Sequence, residues 1–218
     1  MISLLILFFS ISIVFSFLCS LWEAALLSVT PAYAELKLQE GHPIGRRLQE
    51  FKENIDQPLA AILTLNTIAH TVGAIGVGAQ AQIIWSESHP MITAAAVPVL
   101  MTLGILILSE IIPKTIGANY WKELTPFTVT SLRVVIALLF PLVKFSQLIT
   151  RVLKKDKTRS VFSRLDFVAM AAIGAKSGVL RDGESEIIGN LLDFHSVHAE
   201  DIMTPRTDII CAENDATL

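Results

Sequence analysis

Cysteine and charge are both scarce in this chain, and each shortage removes a class of protein. Of 218 residues only two are cysteine, Cys19 inside the first apolar run and Cys211 near the far end. Such a pair gives neither a disulfide framework nor a metal-ligand spacing. Charged residues make up 17% of the sequence and hydrophobic ones 52%, with a mean hydropathy of +0.59, which is too apolar for an ordinary soluble domain. A basic excess is missing too. The formal net charge is -3, and Lys and Arg cluster beside apolar segments, which excludes nucleic acid as an expected partner. There is no HExxH, no GxSG-like turn and no pair of aspartates in the apolar runs, so neither an intramembrane protease nor any other enzyme is expected.

What the chain does have is long apolar runs. Three of them, Ile2 to Ser28, Pro58 to Trp85 and Met91 to Ala118, reach the roughly 20 residues that a helical span needs. The expected fold is an all-α membrane protein in contact with the lipid bilayer. The first run is a poor signal peptide, since no basic residue precedes Lys37 and no small-residue cleavage site follows it. Lys37, Arg46, Arg47 and Lys52 lie between the first two runs, whereas Ser86 to Pro90 carries no Lys or Arg. The positive-inside rule then puts the N-terminus outside, the 31-53 segment in the cytoplasm and the protein in the plasma membrane.

A fourth apolar stretch, Leu124 to Leu153, would carry Arg151, Lys154, Lys155, Lys157 and Arg159 outside if it spanned. Read instead with Arg133, Lys144, Pro126 and Pro141 in view, it is a kinked amphipathic helix at the cytoplasmic interface; a fourth span is the alternative. The expected organisation is therefore a three-span domain over 1-120, with two short cytoplasmic helices near 31-53 broken at Gly41 to Gly45. A juxtamembrane belt over 121-158 and an acidic helical bundle over 159-197 follow, the bundle broken at Gly174 to Gly178 and its second helix opening with Asp182, Glu184 and Glu186. Residues 198-218 read as the truncated beginning of a further domain.

Glu110 stands inside an otherwise apolar stretch, Pro98 to Ile112. A carboxylate at that depth costs at least a few kcal/mol, roughly, and so marks a functional candidate. Counted inward from the cytoplasmic ends, Ser20 lies eight residues before Ser28, Asn66 eight after Pro58 and Glu110 eight before Ala118. Three spans thus offer oxygen atoms at one level, a donor set suited to Mg2+ or Na+. Pro113 lacks an N–H, which frees the backbone carbonyl of Ser109 as a further ligand. His70, one turn beyond Asn66, faces the same level and would make the site sensitive to pH. Each candidate also has a plainer reading. Glu110 and Lys114 are correctly spaced for an ion pair, Asn66 for interhelical glue and His70 for a hydrogen-bonded core histidine. Glu23 reads as a headgroup or packing contact, and Asp193, Glu200 and Asp201 as a solvated face.

Four segments, in order, resemble the CNNM/CorC family of magnesium transporters. CSLWEAALLS resembles the family's FSGSETALLS, with Leu21 and Trp22 as departures; NTIAH is similar to NTLVN, with His70 in place of the second asparagine; and SEIIPKTIG is similar to GEIxPK. GVLRDGESEIIGNLLDFHSVHAEDIMTPRTDI resembles the acidic bundle running into the first CBS motif, with Met203, Thr204, Pro205 and Arg206 at its core.

The resemblance implies a homodimer that exports Mg2+ in exchange for Na+ through an inward-facing pocket, lined by Ser20, Asn66 and Glu110, by alternating access. ATP would bind only at the CBS pair of a longer protein, and no nucleotide residue is carried over here. A neutral imidazole is a poor Mg2+ ligand, so His70 implies either a water-mediated contact or a different selectivity. A Mg2+-sensing regulator of another transporter, with no transport of its own, is the competing function.

Overall fold

The computed structural model describes residues 2-85, 91-153, 163-205 and 208. Among these the regular structure is helical, in two compact units, Met1–Lys155 and Asp156–Leu218. In the first unit, α1 (Ile2–Ser28) and α4 (Asp56–Trp85) are single long helices. The third run is interrupted. A π-helical segment, Ile92–Ala96, leads into α5 (Val97–Gly104), a second π segment, Ile105–Ile111, and α6 (Ile112–Asn119). Each π segment ends two residues before a proline, Pro98 or Pro113. A residue without an N–H cannot complete the i to i−4 ladder, and a locally wider helix is one way to absorb that loss. Ile112 N–H accordingly reaches back to the Ile107 carbonyl.

Among the described residues three helical stretches are long and apolar enough to cross a bilayer, Ile2–Ser28, Asp56–Trp85 and Val97–Asn119, and the bent pair Trp121–Leu138 and Phe140–Ile149 makes a fourth if taken as one span. The chain is therefore an all-α membrane protein. Its lipid-facing character is visible on α1, where Ile2, Leu4, Ile6, Leu7, Ile11 and Val14 are exposed, as bilayer-facing side chains must be when lipid replaces water.

Helix α1 is central, packed against α4 on one side and against the second π segment and α6 on another. Glycines set these approaches. A Cβ on Gly73 would collide with Ser12, and one on Gly117 would stand 2.7 Å from the Leu21 carbonyl oxygen. The contact order shows α1 antiparallel to α4 and parallel to the third span, since Phe9 meets Gly104 and Leu21 meets Gly117.

Two short helices, α2 (Pro31–Gln39) and α3 (Gly45–Glu53), close the end where α1 stops and α4 starts. Thr30 caps α2 by accepting from Tyr33 N–H at 3.2 Å, with Pro31 in the first turn. Gly41, at φ 68, turns the chain. Leu48 and Phe51 of α3 join Cys19, Trp22, Leu26, Ile62, Val129 and Leu132 in one apolar core. Trp22, a departure from the CNNM/CorC pattern, is buried there with its ring centroid 6.4 Å from that of Phe127.

The stretch expected to form one kinked belt is two helices, α7 (Trp121–Leu138) and α8 (Phe140–Leu153), bent by 89° about Leu139. Pro126 lies inside α7, so the break falls near Pro141. Both helices pack on α4.

In the second unit, α9 (Arg164–Lys176) and α10 (Asp182–Asp193) pack together, followed by a 3-10 turn, Phe194–Ser196, and short α11 (Ala199–Ile202). The break expected at Gly174 to Gly178 is narrower. Gly174 stays inside α9, and its carbonyl accepts from Val179 and Leu180 N–H at 3.0 Å while Gly178, at φ 75, makes the turn. Leu180 folds back over Gly174, where a Cβ would stand 2.9 Å from its side chain. Most of the segment after Pro205, and with it Arg206, lies outside the described residues.

Candidate functional site

Polar side chains in the spanning helices meet on the face of α1 that carries Ser12, Ser16 and Ser20, all buried. Residues four apart share a helix face, so this ladder points one way along the span. Ser12 Oγ donates to the Ala69 carbonyl of α4 at 2.9 Å. Ser16 Oγ lies 2.5 Å from His70 Nε2 and donates to Ser109 Oγ at 3.0 Å. Ser109 Oγ in turn donates to the Ile105 carbonyl at 2.7 Å. Three separate spans are thereby tied at one depth. Ser109 is fully buried, and its own carbonyl has no donor at i+4 because residue 113 is proline.

Asn66 lies one turn from His70 on α4 and lines a cavity of about 300 Å³ with Glu23, Asp56, Leu59, Ile62, Leu63 and, from α8, Ser146. Its Oδ1 is buried without a hydrogen-bond partner. A buried acceptor without a donor costs about 1–3 kcal/mol, so this oxygen marks a place where a cation or donor would be stabilised. The lining carries two carboxylates, Glu23 and Asp56, of which Glu23 is paired with a lysine.

Glu110 is partly buried on the second π segment, beside Ser109. It is not on the lining of that cavity. Nor does Lys114 serve it: the Lys114 ammonium pairs with Glu23 at 3.5 Å, across from α6 to α1. The plainer reading of Glu110 as half of a local ion pair therefore fails among the described residues.

Of the five positions singled out by sequence, His70 and Ser109 are thus joined through Ser16, and Asn66 lies at the cavity. Ser20 is buried on the serine face, and Glu110 flanks the Ser109 junction. Ser12, Ser16, Asp56 and Ser146 were missed. The serines had a legible signal in their four-residue spacing; Asp56 and Ser146 had none, since their meeting depends on how α8 folds back against α4. Among the described residues no three His, Cys, Asp or Glu side chains gather in one group that could hold a metal ion.

Interrupted spans, a buried polar junction and an acidic cavity define a multi-span helical membrane domain with an internal polar site. Residues 5–184 match the Cyclin M transmembrane N-terminal domain, and the chain belongs to that family, the CNNM/CorC group its four motifs resemble. It is similar to a UPF0053 protein of Synechocystis, 28% identical over 201 residues that cover 92% of this chain and 57% of the relative. A UPF0053 protein of Haemophilus influenzae is 26% identical, with 86% and 45% covered. A chloroplastic DUF21 domain-containing protein of Arabidopsis thaliana is 22% identical, with 91% and 30% covered. The chain spans little more than half the length of these relatives at most.

Proposed function

We propose that this chain is the membrane module of a divalent-cation carrier that exports Mg2+ in exchange for Na+. One observation carries the reading: the Asn66 side-chain oxygen, buried without a donor, on a helix whose cavity also holds Glu23 and Asp56. An acceptor left unsatisfied inside a membrane domain is a cost that a passing cation would remove. Glu110, off the lining of that cavity but with Lys114 engaged elsewhere, supplies a charged ligand when the second π segment flexes toward Asn66, and Ser20 and Asn66 supply neutral ones. The π segments beside Pro98 and Pro113 are natural flexion points for alternating access, since broken helix at membrane depth is tolerated where it lines a polar site.

The carrier acts as a homodimer in the plasma membrane with the α2–α3 end facing the cytoplasm. Proteoliposomes of the purified protein under imposed Na+ and Mg2+ gradients test this directly. Mg2+ flux that is lost in Glu110→Ala and Asn66→Ala supports the carrier. Mg2+ binding without flux in the unaltered protein would instead make it a sensor.

A further inference from the structure

Helix α8 has two unlike faces. On one, Val143 is buried and Ser146 reaches the cavity beside Asp56, Leu59 and Ala60, in the first turns of α4. α8 therefore lies at the end of the spans that also holds α2 and α3. On the opposite face Phe140, Lys144 and Leu148, each four residues from the last, form one row, and Pro141 and Phe145 form the next. These rows line an open groove of about 530 Å³. Phe145 is 65% exposed and Leu148 60%, large apolar surface that is costly to leave against water.

Lys144 is the charge on that face. Its Nζ stands 5.7 Å from the centroid of the Phe140 ring, where attraction to the ring face holds the ammonium at the edge of the groove. Among the described residues it pairs with no carboxylate. The sequence around it has the same sign: residues 140-160 contain six of the chain's 17 Lys and Arg, from Lys144 to Arg159, and only one of its 20 Asp and Glu, Asp156. An amphipathic helix with apolar bulk on one face and cations beside it binds a bilayer surface and prefers acidic headgroups. A second copy of this chain suits the groove less well, because a twofold contact through it would bring the two Lys144 charges near each other.

We propose that this face of α8 is a docking surface for acidic phospholipids of the adjoining leaflet, with Phe140, Phe145 and Leu148 among the acyl chains and Lys144 at the headgroup phosphate. A lysine suits the place: its methylene stem stays in the apolar layer while the ammonium reaches the headgroups as a point charge. Acidic and zwitterionic lipids share their acyl chains and differ in net charge, so the apolar contact serves both and the cation sets the preference. Nothing at this face depends on which ion the cavity carries.

The full chain in lipid nanodiscs tests this, with a fluorophore on Ile149→Cys, which is exposed and stands one residue beyond the groove, in a Cys211→Ser background where Cys19 remains buried. Brominated phosphatidylglycerol should quench the fluorophore at a lower mole fraction than brominated phosphatidylcholine, by about fivefold or more, the scale of one lysine at an acidic surface. Lys144→Gln should lower that ratio by about fivefold, and Lys144→Arg should keep it. Equal quenching by the two lipids would make the face an apolar anchor alone and overturn the proposal. A ratio unchanged in Lys144→Gln would place the preference in the basic segment that follows and overturn it too. Quenching by neither lipid would mean that protein covers this face, and that result also overturns it.

Discussion

Lys114 Nζ lies 3.5 Å from Glu23 Oε2, a bridge from the third span to the first. Spacing along the third span alone would favour Glu110 as the partner, yet the ammonium crosses to α1 and leaves Glu110 for other work. Both members of the bridge are well exposed, at 48% and 37%, so its contribution is about 1 kcal/mol or less. Lys114→Met is expected to lower stability in detergent by no more than that. Glu110→Gln, by contrast, should leave thermal unfolding nearly unchanged and abolish cation flux. The assignment is sunk if Glu110→Gln transports normally.

Much of this was legible from residue pattern because the bilayer simplifies the code. Apolar length found the three spans, and the positions of Gly41 and Gly178 found turns that the structure makes with positive φ. Glu110 stood out as a candidate because a carboxylate has no cheap place in an apolar run. What could not be read is contact across helices. Ser16 becomes the bridge between His70 and Ser109 only through the rotation of α1 against two neighbours, and Ser146 reaches the Asn66 cavity only because the chain turns by 89° at Leu139. The π segments were half visible. Pro113 announced a disturbed ladder and Pro98 was passed over, and whether a helix kinks or widens at either depends on the packing around it.

Close helix approach predicts opposite fates for two glycines. A Cβ on Gly117 would stand 2.7 Å from the Leu21 carbonyl oxygen and 2.9 Å from Ala24 Cβ, atoms that cannot swing aside. Gly117→Ala should therefore separate α6 from α1 and cost about 1–3 kcal/mol. Around Gly78 there is nothing within 4 Å, so Gly78→Ala should stabilise α4 by up to about 1 kcal/mol through helix propensity. Unfolding curves of the two variants side by side give the comparison, and equal effects would contradict the packing.

The start of α9 carries a pH-dependent cap. Asp166 accepts from Ser163 N–H at 2.7 Å and from Ser163 Oγ–H at 2.8 Å, and these bonds hold its carboxyl below the usual 3.8. A depressed folded value means that the unfolded chain binds the proton more readily, so the stabilisation is present above 3.8 and fades as pH falls through the lower folded value. Amide exchange in the first turn of α9 should quicken over that acid window in the unaltered protein. Asp166→Asn should remove the pH dependence, and a persistent acid transition in that variant would place its origin elsewhere.

At the end of α1 two effects oppose each other on one side chain. Lys52 Nζ donates to the Leu26 carbonyl at 3.3 Å, capping a helix terminus whose dipole favours a cation. Burial meanwhile pushes the Lys52 ammonium below its usual 10.5. Because the unfolded chain holds this proton more tightly than the folded one, the folded state carries the burial cost while both are protonated. Stability should then rise as pH climbs through the lowered folded value toward 10.5. Lys52→Met keeps the apolar stem and removes both the charge and the cap. Near neutral pH the two losses offset, for a net change within about 1 kcal/mol. Under alkaline conditions the variant should lack the rise. Denaturant unfolding in detergent across this range measures it, and an alkaline rise that survives in Lys52→Met would mean that another group titrates.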